Sequence, residues 1–253
     1  MDINQAWKET CRVVLGGEIG ELQDYEKYLL RYVEPTQTQK SFISAKSVSL
    51  AYAPFAKSAR FISYDELGLY EKYLSGPGRK LAINSIKDID SILSAMGEAF
   101  AYCGDMHVGN CQDISQSDRC ENAQVVYRSN EVYDSKFVAC SSLSRFDSFV
   151  FGSSWLGESN YLIKCFYTHK LARSMETYRV LVSSDCYYSS NLEGCSDCLF
   201  SFNQRNKSRL IGNTAFPAAD YAAYKAKLLG EMRDTLKRKK TLPSIISFLG
   251  GSK

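Results

Sequence analysis

The stretch VVYRSNEVYDSKFVACSSLSRFDSFVFGSSWLGESNYLI, residues 125–163, decides the fold. Within it Val125-Val126-Tyr127, Phe137-Val138-Ala139, Phe149-Val150-Phe151 and Tyr161-Leu162-Ile163 return at steps of about twelve or thirteen residues. Before each run comes a small polar corner, such as Tyr133-Asp134-Ser135 or Phe146-Asp147-Ser148. Short apolar runs bounded by Ser, Asn, Asp and Gly are strand and turn signals, and a fixed step between them is the mark of a repeat. Val180-Leu181-Val182 and Cys198-Leu199-Phe200 continue the phrase at steps nearer eighteen.

Two architectures generate such a pattern. A β-solenoid gives one short strand per side of each coil, with neighbouring coils covering each other's apolar faces, whereas an antiparallel meander joins its strands by tight hairpins. The corners repeat as Ser-Asp and Asn-Glu pairs and few are the Asn-Gly or Asp-Gly of two-residue hairpins, so a parallel β-helix-like solenoid is expected, with the meander as the alternative.

Working outward, Asp2 is placed to cap a first helix whose Ala6, Trp7, Cys11, Val14 and Leu15 share a face, ended by Gly16-Gly17. Ile19, Leu22, Tyr25, Tyr28, Leu29 and Tyr32 predict a second helix over Glu18 to Val33, ended by Pro35, and hence a helical hairpin over 1–39. Residues 40–104 read as a mixed cap: three short strands at Ser41–Ser44, Val48–Tyr52 and Arg60–Ser63, a helix from Asp65 to about Leu74, a Gly76-Pro77-Gly78 turn, and a helix with the stripe Ile83, Ile86, Ile89, Leu93 and Met96 expected to pack along the solenoid's open face or end. The repeat occupies 105–213. Residues 214–253 carry a long helix from about Ala218 to Lys239 and an apolar tail, Leu242 to Leu249, which either tucks back or docks on a partner.

The end of the repeat carries a resemblance. Asp197-Cys198-Leu199-Phe200, then Arg205-Asn206-Lys207 and a Tyr- and Lys-rich helix, resembles the closing portion of uncharacterised prokaryotic proteins, archaeal and bacterial, built of Cys-containing tandem coils. Tyr133-Asp134-Ser135-Lys136-Phe137 and Ser184-Asp185-Cys186-Tyr187-Tyr188 are similar to their internal coils, so the likeness covers roughly the second half of the chain. It implies tandem coils and carries no activity. Where that group has paired cysteines, this chain keeps one Cys-x-x-Cys at Cys195 and Cys198.

Composition narrows the classes of function. Hydrophobic content of 45% with 23% charged is that of a folded soluble protein, and a net charge of +3 is too small to argue for nucleic acid. An odd count of nine cysteines, with no secretory leader, suits a reducing, cytoplasmic setting, and no apolar run of about eighteen residues is present to span a membrane.

Catalytic signatures are sparse. The only histidines are His107 and His169, neither in a Gly-x-Ser-x-Gly setting, and Gly152-Ser153-Ser154-Trp155-Leu156-Gly157 lacks the lysine of a phosphate-binding loop and reads as a coil corner. Asp134 and Asp147, about one repeat apart, could stack on adjacent coils as a carboxylate pair for glycoside cleavage, although corner aspartates more commonly cap turns. Cys103, His107, Cys111 and Cys120 have ligand chemistry but not the spacing of a zinc knuckle. The candidate metal ligands are therefore Cys186, Cys195 and Cys198, which would hold zinc with a fourth ligand from elsewhere; no other cofactor is expected.

Binding is the favoured class, and the chain is expected to be no enzyme. A solenoid offers a rigid surface, and the basic residues Arg173, Arg179, Arg205, Lys207 and Arg209, the helix end Lys237, Arg238, Lys239 and Lys240, and the tail residues Ile245, Ile246 and Phe248 are the candidate partner contacts. The expectation is a non-catalytic scaffold or adaptor for a macromolecular partner, protein rather than RNA, engaging through the coil face and tail, and compatible with a homo-oligomer. An RNA- or ribosome-associated factor is one alternative and a carbohydrate-active enzyme the other.

Overall fold

Lys136, Val138 and Ala139 pair in parallel with Gln124, Val126 and Tyr127 on one side and with Ser148, Val150 and Phe151 on the other. On the opposite wall Ser142, Ser144 and Arg145 sit between Asn130, Val132 and Tyr133 and Ser154, Leu156 and Gly157. The register advances by thirteen residues at the first pairing, His107 with Cys120, and by twelve at every parallel pairing from Gln112 on, so residues 107–211 form a parallel β-solenoid of about nine turns. The computed structural model describes residues 1–34, 36–51, 60–76 and 86–249. Expectations resting on Pro35, Tyr52, Pro77, Gly78 and Ile83 lie outside the described residues.

A finer rhythm runs beneath the twelve. From Asp113 to Gly212 every third residue has positive φ, near +50°, so the backbone repeats two extended residues and one left-handed residue. Four such corners close one turn. The residue after each extended pair cannot join the ladder, which is why the register passes over Phe137 and Leu143. Left-handed backbone ordinarily favours Gly, Asn and Asp, yet Val125 and Val182 adopt it, because the coils above and below dictate the conformation that local sterics oppose.

Inward side chains also come every third residue: Cys120, Ala123, Val126, Ser129, Val132, Ser135, Val138 and Ser141 are buried in succession. This resolves the step of eighteen. It is one and a half turns, so Val180 belongs to the inward row of Leu156 and Leu192, opposite the row of Leu162, Cys186 and Cys198, and the coil length never changes.

Serines replace hydrophobes most continuously in one inward row, where they form a ladder. The N–H groups of Ser129, Ser141, Ser153 and Cys165 donate to the Oγ of Ser117, Ser129, Ser141 and Ser153, at 2.9 to 3.1 Å. Each hydroxyl in turn donates to the carbonyl two residues back, as Ser141 Oγ does to Ala139 O at 2.8 Å. A polar interior column is tolerated because it leaves these buried groups paired.

Helix α1, Ile3–Leu15, begins with Asp2 and Gln5 as a capping box and ends at left-handed Gly16. Its Trp7, Cys11 and Val14 pack on an outward row of the solenoid, Ala139, Phe151, Ile163, Tyr187 and Leu199. No second long helix follows, which corrects the expected hairpin: Leu22–Tyr25 is a 3₁₀ turn and α2 is the single turn Glu26–Leu29. The tyrosines bend the segment onto the coils instead of continuing a helix, Tyr25 OH donating to Ile19 O and Tyr28 OH to Glu176.

In the cap, β1, Gln37–Lys40, pairs antiparallel with β2, Ser47–Leu50, and β3, Phe61–Ser63, pairs parallel with β4, Tyr102–Gly104. The expected strand at Ser41–Ser44 is the turn between β1 and β2. Helix α3 is Leu67–Leu74 and α4 is Ile89–Ala99. The apolar stripe of α4 does not pack on the solenoid: Ile89, Leu93 and Met96 are exposed. The first coils are met by the end of β2, where Ala51 N–H donates to Asp118 Oδ2 and Ser49 N–H to Asp105 Oδ1.

Helix α5, Ala218–Lys239, lies beside α1 with Tyr221, Met232 and Leu236 buried. The tail folds back. Leu242, Ser244 and Ile245 are buried, α6 is Ile245–Leu249, and Ser244 Oγ and Ile245 N–H both donate to Glu176 Oε2 at 2.9 Å.

Candidate interaction face

Among the described residues, helices and tail cover one side of the solenoid and leave the opposite side bare. The three-residue rhythm sorts every coil residue onto an inward row or one of the outward rows, and two neighbouring outward rows on the bare side are Leu143, Trp155, Tyr167 and Arg179, and Phe146, Glu158, Lys170 and Val182. Phe146, Trp155, Tyr167, Leu181 and Val182 are between 44% and 59% exposed. Phe146, Trp155, Tyr167 and Leu181 line a shallow hollow of about 610 Å³ that is bordered by Arg145, Glu158 and His169.

The rings are ordered. Trp155 and Tyr167, one coil apart, stack with centroids 5.4 Å apart and planes at 10°, and Tyr178 meets Tyr167 edge-on at 5.6 Å. Because the stack runs along the solenoid axis, the rings cover each other's faces and turn their edges outward. The charges along this side are largely matched on the same chain: Arg119 Nη1 with Glu131 at 2.8 Å, Arg205 Nε with Glu193 at 2.8 Å, and Glu158 loosely with His169 and Lys170 at 3.5 Å each.

The basic residues singled out from the sequence are scattered. Arg173 and Arg209 share one outward row, where Arg173 Nη2 pairs with Asp185 at 2.6 Å. Arg179 is six residues, half a coil, from Arg173 and so stands at the opposite corner. Arg205 is on the bare side beside Glu193, and Lys207 is in an inward row but exposed, because the chain leaves the solenoid before another coil covers it. Lys237, Arg238 and Lys239 are exposed at the end of α5, whereas Lys240 Nζ binds Asp24 at 2.8 Å. In the tail Ile245 is buried, Ile246 half-buried, and Phe248 exposed at the mouth of a groove of about 490 Å³ with Phe200, Leu228 and Met232.

Asp134 and Asp147 do not stack. Asp134 is an exposed corner residue accepting from Asn122 Nδ2 at 3.3 Å, while Asp147 is inside the coil, bonded by Ser144 Oγ at 2.6 Å, Arg145 N–H at 2.9 Å and Ser159 N–H at 2.8 Å. Thirteen residues is one coil plus one position, which moves a side chain from the outside to the interior. Burial raises the Asp147 carboxyl to about 6 against these three hydrogen bonds.

Cys186 and Cys198 are neighbours in one inward row and Cys195 is in another. Their sulfurs donate to Ser184 O, Ser196 O and Glu193 O. A hydrogen bond with Cys198, together with burial, holds Cys186 protonated well above the ordinary thiol range. Among the described residues no group of three or more His, Cys, Asp and Glu side chains is arranged to hold a metal ion.

Sequence reasoning missed Trp155 and its neighbours as a surface, reading Gly152–Gly157 only as a corner. The signal was the step of three: marking every third residue from the buried Val126 separates the outward aromatics from the inward aliphatics. Among the described residues no helix is long and apolar enough to cross a membrane. Comparison with family models, curated proteins and solved structures returned no match to this chain.

Proposed function

We propose that the protein is a non-catalytic scaffold that binds a protein partner through the bare side of its solenoid. The observation that carries this reading is the half-exposed cluster Phe146, Trp155, Tyr167, Leu181 and Val182 on a backbone fixed by parallel ladders. Contiguous exposed apolar surface of this kind marks interaction sites, and aromatic residues dominate their energetics. Ring edges suit the side chains of a protein, whereas bases and sugars call for open ring faces. The dispersal of Arg173, Arg179 and Lys237 over separate faces favours protein over RNA for the same reason: a phosphate backbone needs a continuous basic track. Nine free cysteines fit a reducing, cytoplasmic setting, and the likeness to Cys-containing tandem-coil proteins fits a repeat used as a platform.

The test is to purify the protein from its own cells at low salt, with and without nuclease, and to compare its particle mass with that of Trp155→Glu. A protein-containing particle that survives nuclease and is lost in the variant is the expected result. A bare monomer, a particle dissolved by nuclease, or one that Trp155→Glu retains would overturn the reading.

A further inference from the structure

Resting on the bare side as a protein-binding surface, we infer that its occupant is a second copy of this chain, docked antiparallel about a two-fold axis. The row Phe146, Glu158, Lys170, Val182 climbs four successive coils at twelve-residue spacing. Its chemistry reads apolar, acidic, basic, apolar. A two-fold axis lying in the interface, perpendicular to the solenoid and level with the midpoint between the coils of Glu158 and Lys170, sets the row against itself in reverse. Phe146 then meets Val182 of the partner copy, and Glu158 meets Lys170 of the partner copy, twice over. An isologous interface requires this self-complementarity, and coils spaced by about 4.8 Å keep two identical rows in register over their whole length.

The neighbouring row supports the same axis. Trp155 and Tyr167 are on the two coils that flank it, so the stacked pair would lie at the centre of the contact, where hot spots concentrate. Glu158 holds Lys170 only at 3.5 Å on its own chain, with both side chains about half exposed, and is free to exchange that contact for one across the interface.

Size is sufficient. Three aromatics about half exposed, each carrying about 150–250 Å² of side-chain area, together with Leu181 and Val182 give an apolar centre on the order of 400 Å². A standard interface takes about 800 Å² from each partner, and the rim of Arg145, Glu158, His169, Lys170 and Arg179 supplies the rest. The rim's excess of positive charge, Arg145 and Arg179 beyond the match of Glu158 with Lys170, stands at the exposed edge, where salt screens it.

Sedimentation velocity on the purified full chain, at tens of micromolar, tests the inference, with circular dichroism to verify that each variant is folded. The wild type is expected at twice the 28.5 kDa chain mass, and Trp155→Glu at the chain mass. Glu158→Lys and Lys170→Glu are each expected to weaken the dimer at least tenfold, since each sets like charges face to face. An equimolar mixture of these two variants is expected to recover the dimer, because both charges that the Glu158→Lys chain presents then face opposite charges on the Lys170→Glu chain. A monomeric wild type, a dimer that both charge variants leave intact, or a mixture that fails to recover overturns the inference. A purified wild type that is monomeric, yet captures a different protein that Trp155→Glu loses, removes the second copy and leaves the bare side as a binding surface.

Discussion

Lys164 and Glu176 stand one above the other on adjacent coils of an outward row, both fully buried, Lys164 reaching the N-terminal segment and Glu176 reaching both that segment and the tail. Lys164 Nζ donates to Tyr28 O at 3.0 Å and Arg31 O at 2.7 Å, while Glu176 accepts from Tyr28 OH at 2.8 Å and from Ser244 Oγ and Ile245 N–H at 2.9 Å. The pair therefore fastens the N-terminal segment and the C-terminal tail to the same place on the solenoid. Replacing Glu176 by Ala leaves Lys164 buried without its counter-charge and the tail without its acceptor. Stripping the buried Tyr28 and Ser244 hydroxyls and the Ile245 N–H of their acceptor costs about 1–3 kcal/mol for each group left unsatisfied. Denaturant unfolding should show a loss of that order, and limited proteolysis should cut near 241–249 while the coils stay intact.

The same lysine sets a pH dependence. Burial depresses Lys164 to about 8, below the 10.5 of a free lysine, so above pH 8 the unfolded chain holds a proton that the folded chain has lost. Stability from this group is then present above pH 10.5 and lost as pH falls through 8. Asp147 acts in the acid range with the opposite sign. Its carboxyl is raised to about 6 from 3.8, so its contribution is present below pH 3.8 and lost as pH rises through 6. Lys164→Met should flatten the alkaline limb of the stability profile and Asp147→Asn the segment between about pH 4 and 6, measured by urea unfolding across pH.

The serine ladder predicts a local cost. Ser153 accepts from Cys165 N–H at 2.9 Å and donates to Phe151 O, so Ser153→Ala strips a buried backbone N–H of that acceptor. The loss is about 1–3 kcal/mol, read from chemical denaturation. Ser153→Cys, which matches the residue already present one coil on at Cys165, should cost less.

Two glycines separate strain from collision. Gly152 and Gly212 have φ of +66° and +57° in the same outward row, but a Cβ on Gly152 would stand 2.8 Å from Leu29 Cδ2, whereas nothing lies within 4 Å of one on Gly212. Gly212→Ala should cost only the left-handed backbone penalty, about 1 kcal/mol. Gly152→Ala should cost more by about 1–3 kcal/mol, because α2 must lift from the coils. The difference in thermal midpoint between the two variants measures the clash alone.

The outward and inward character of the coil is written in residues such as Val126, Val138, Val150 and Leu162, whose twelve-residue return discloses parallel stacking. Periodic burial is a local property, since each coil presents the same chemistry to its neighbours. The first helix and α5 are legible for the same reason: Asp2, Gly16 and the Tyr221–Leu236 stripe are local caps and faces. The segment Glu18–Val33 departs from its helical pattern because Tyr28 commits its hydroxyl to Glu176, more than a hundred residues away, while Tyr25 turns its own onto Ile19 O within the segment.

Sequence alone thus pointed to the solenoid, with a meander as its alternative, and to α1 and α5, because repetition and amphipathic spacing act over a single turn. Only the tertiary structure decided which side of the solenoid the helices cover and where the tail goes. It also decided which aromatics face solvent. Those outcomes depend on three-residue left-handed corners that no residue type announces and on long-range bonds to Lys164 and Glu176, so Trp155 and Tyr167 became a surface only once α1, α5 and the tail had packed against the other side.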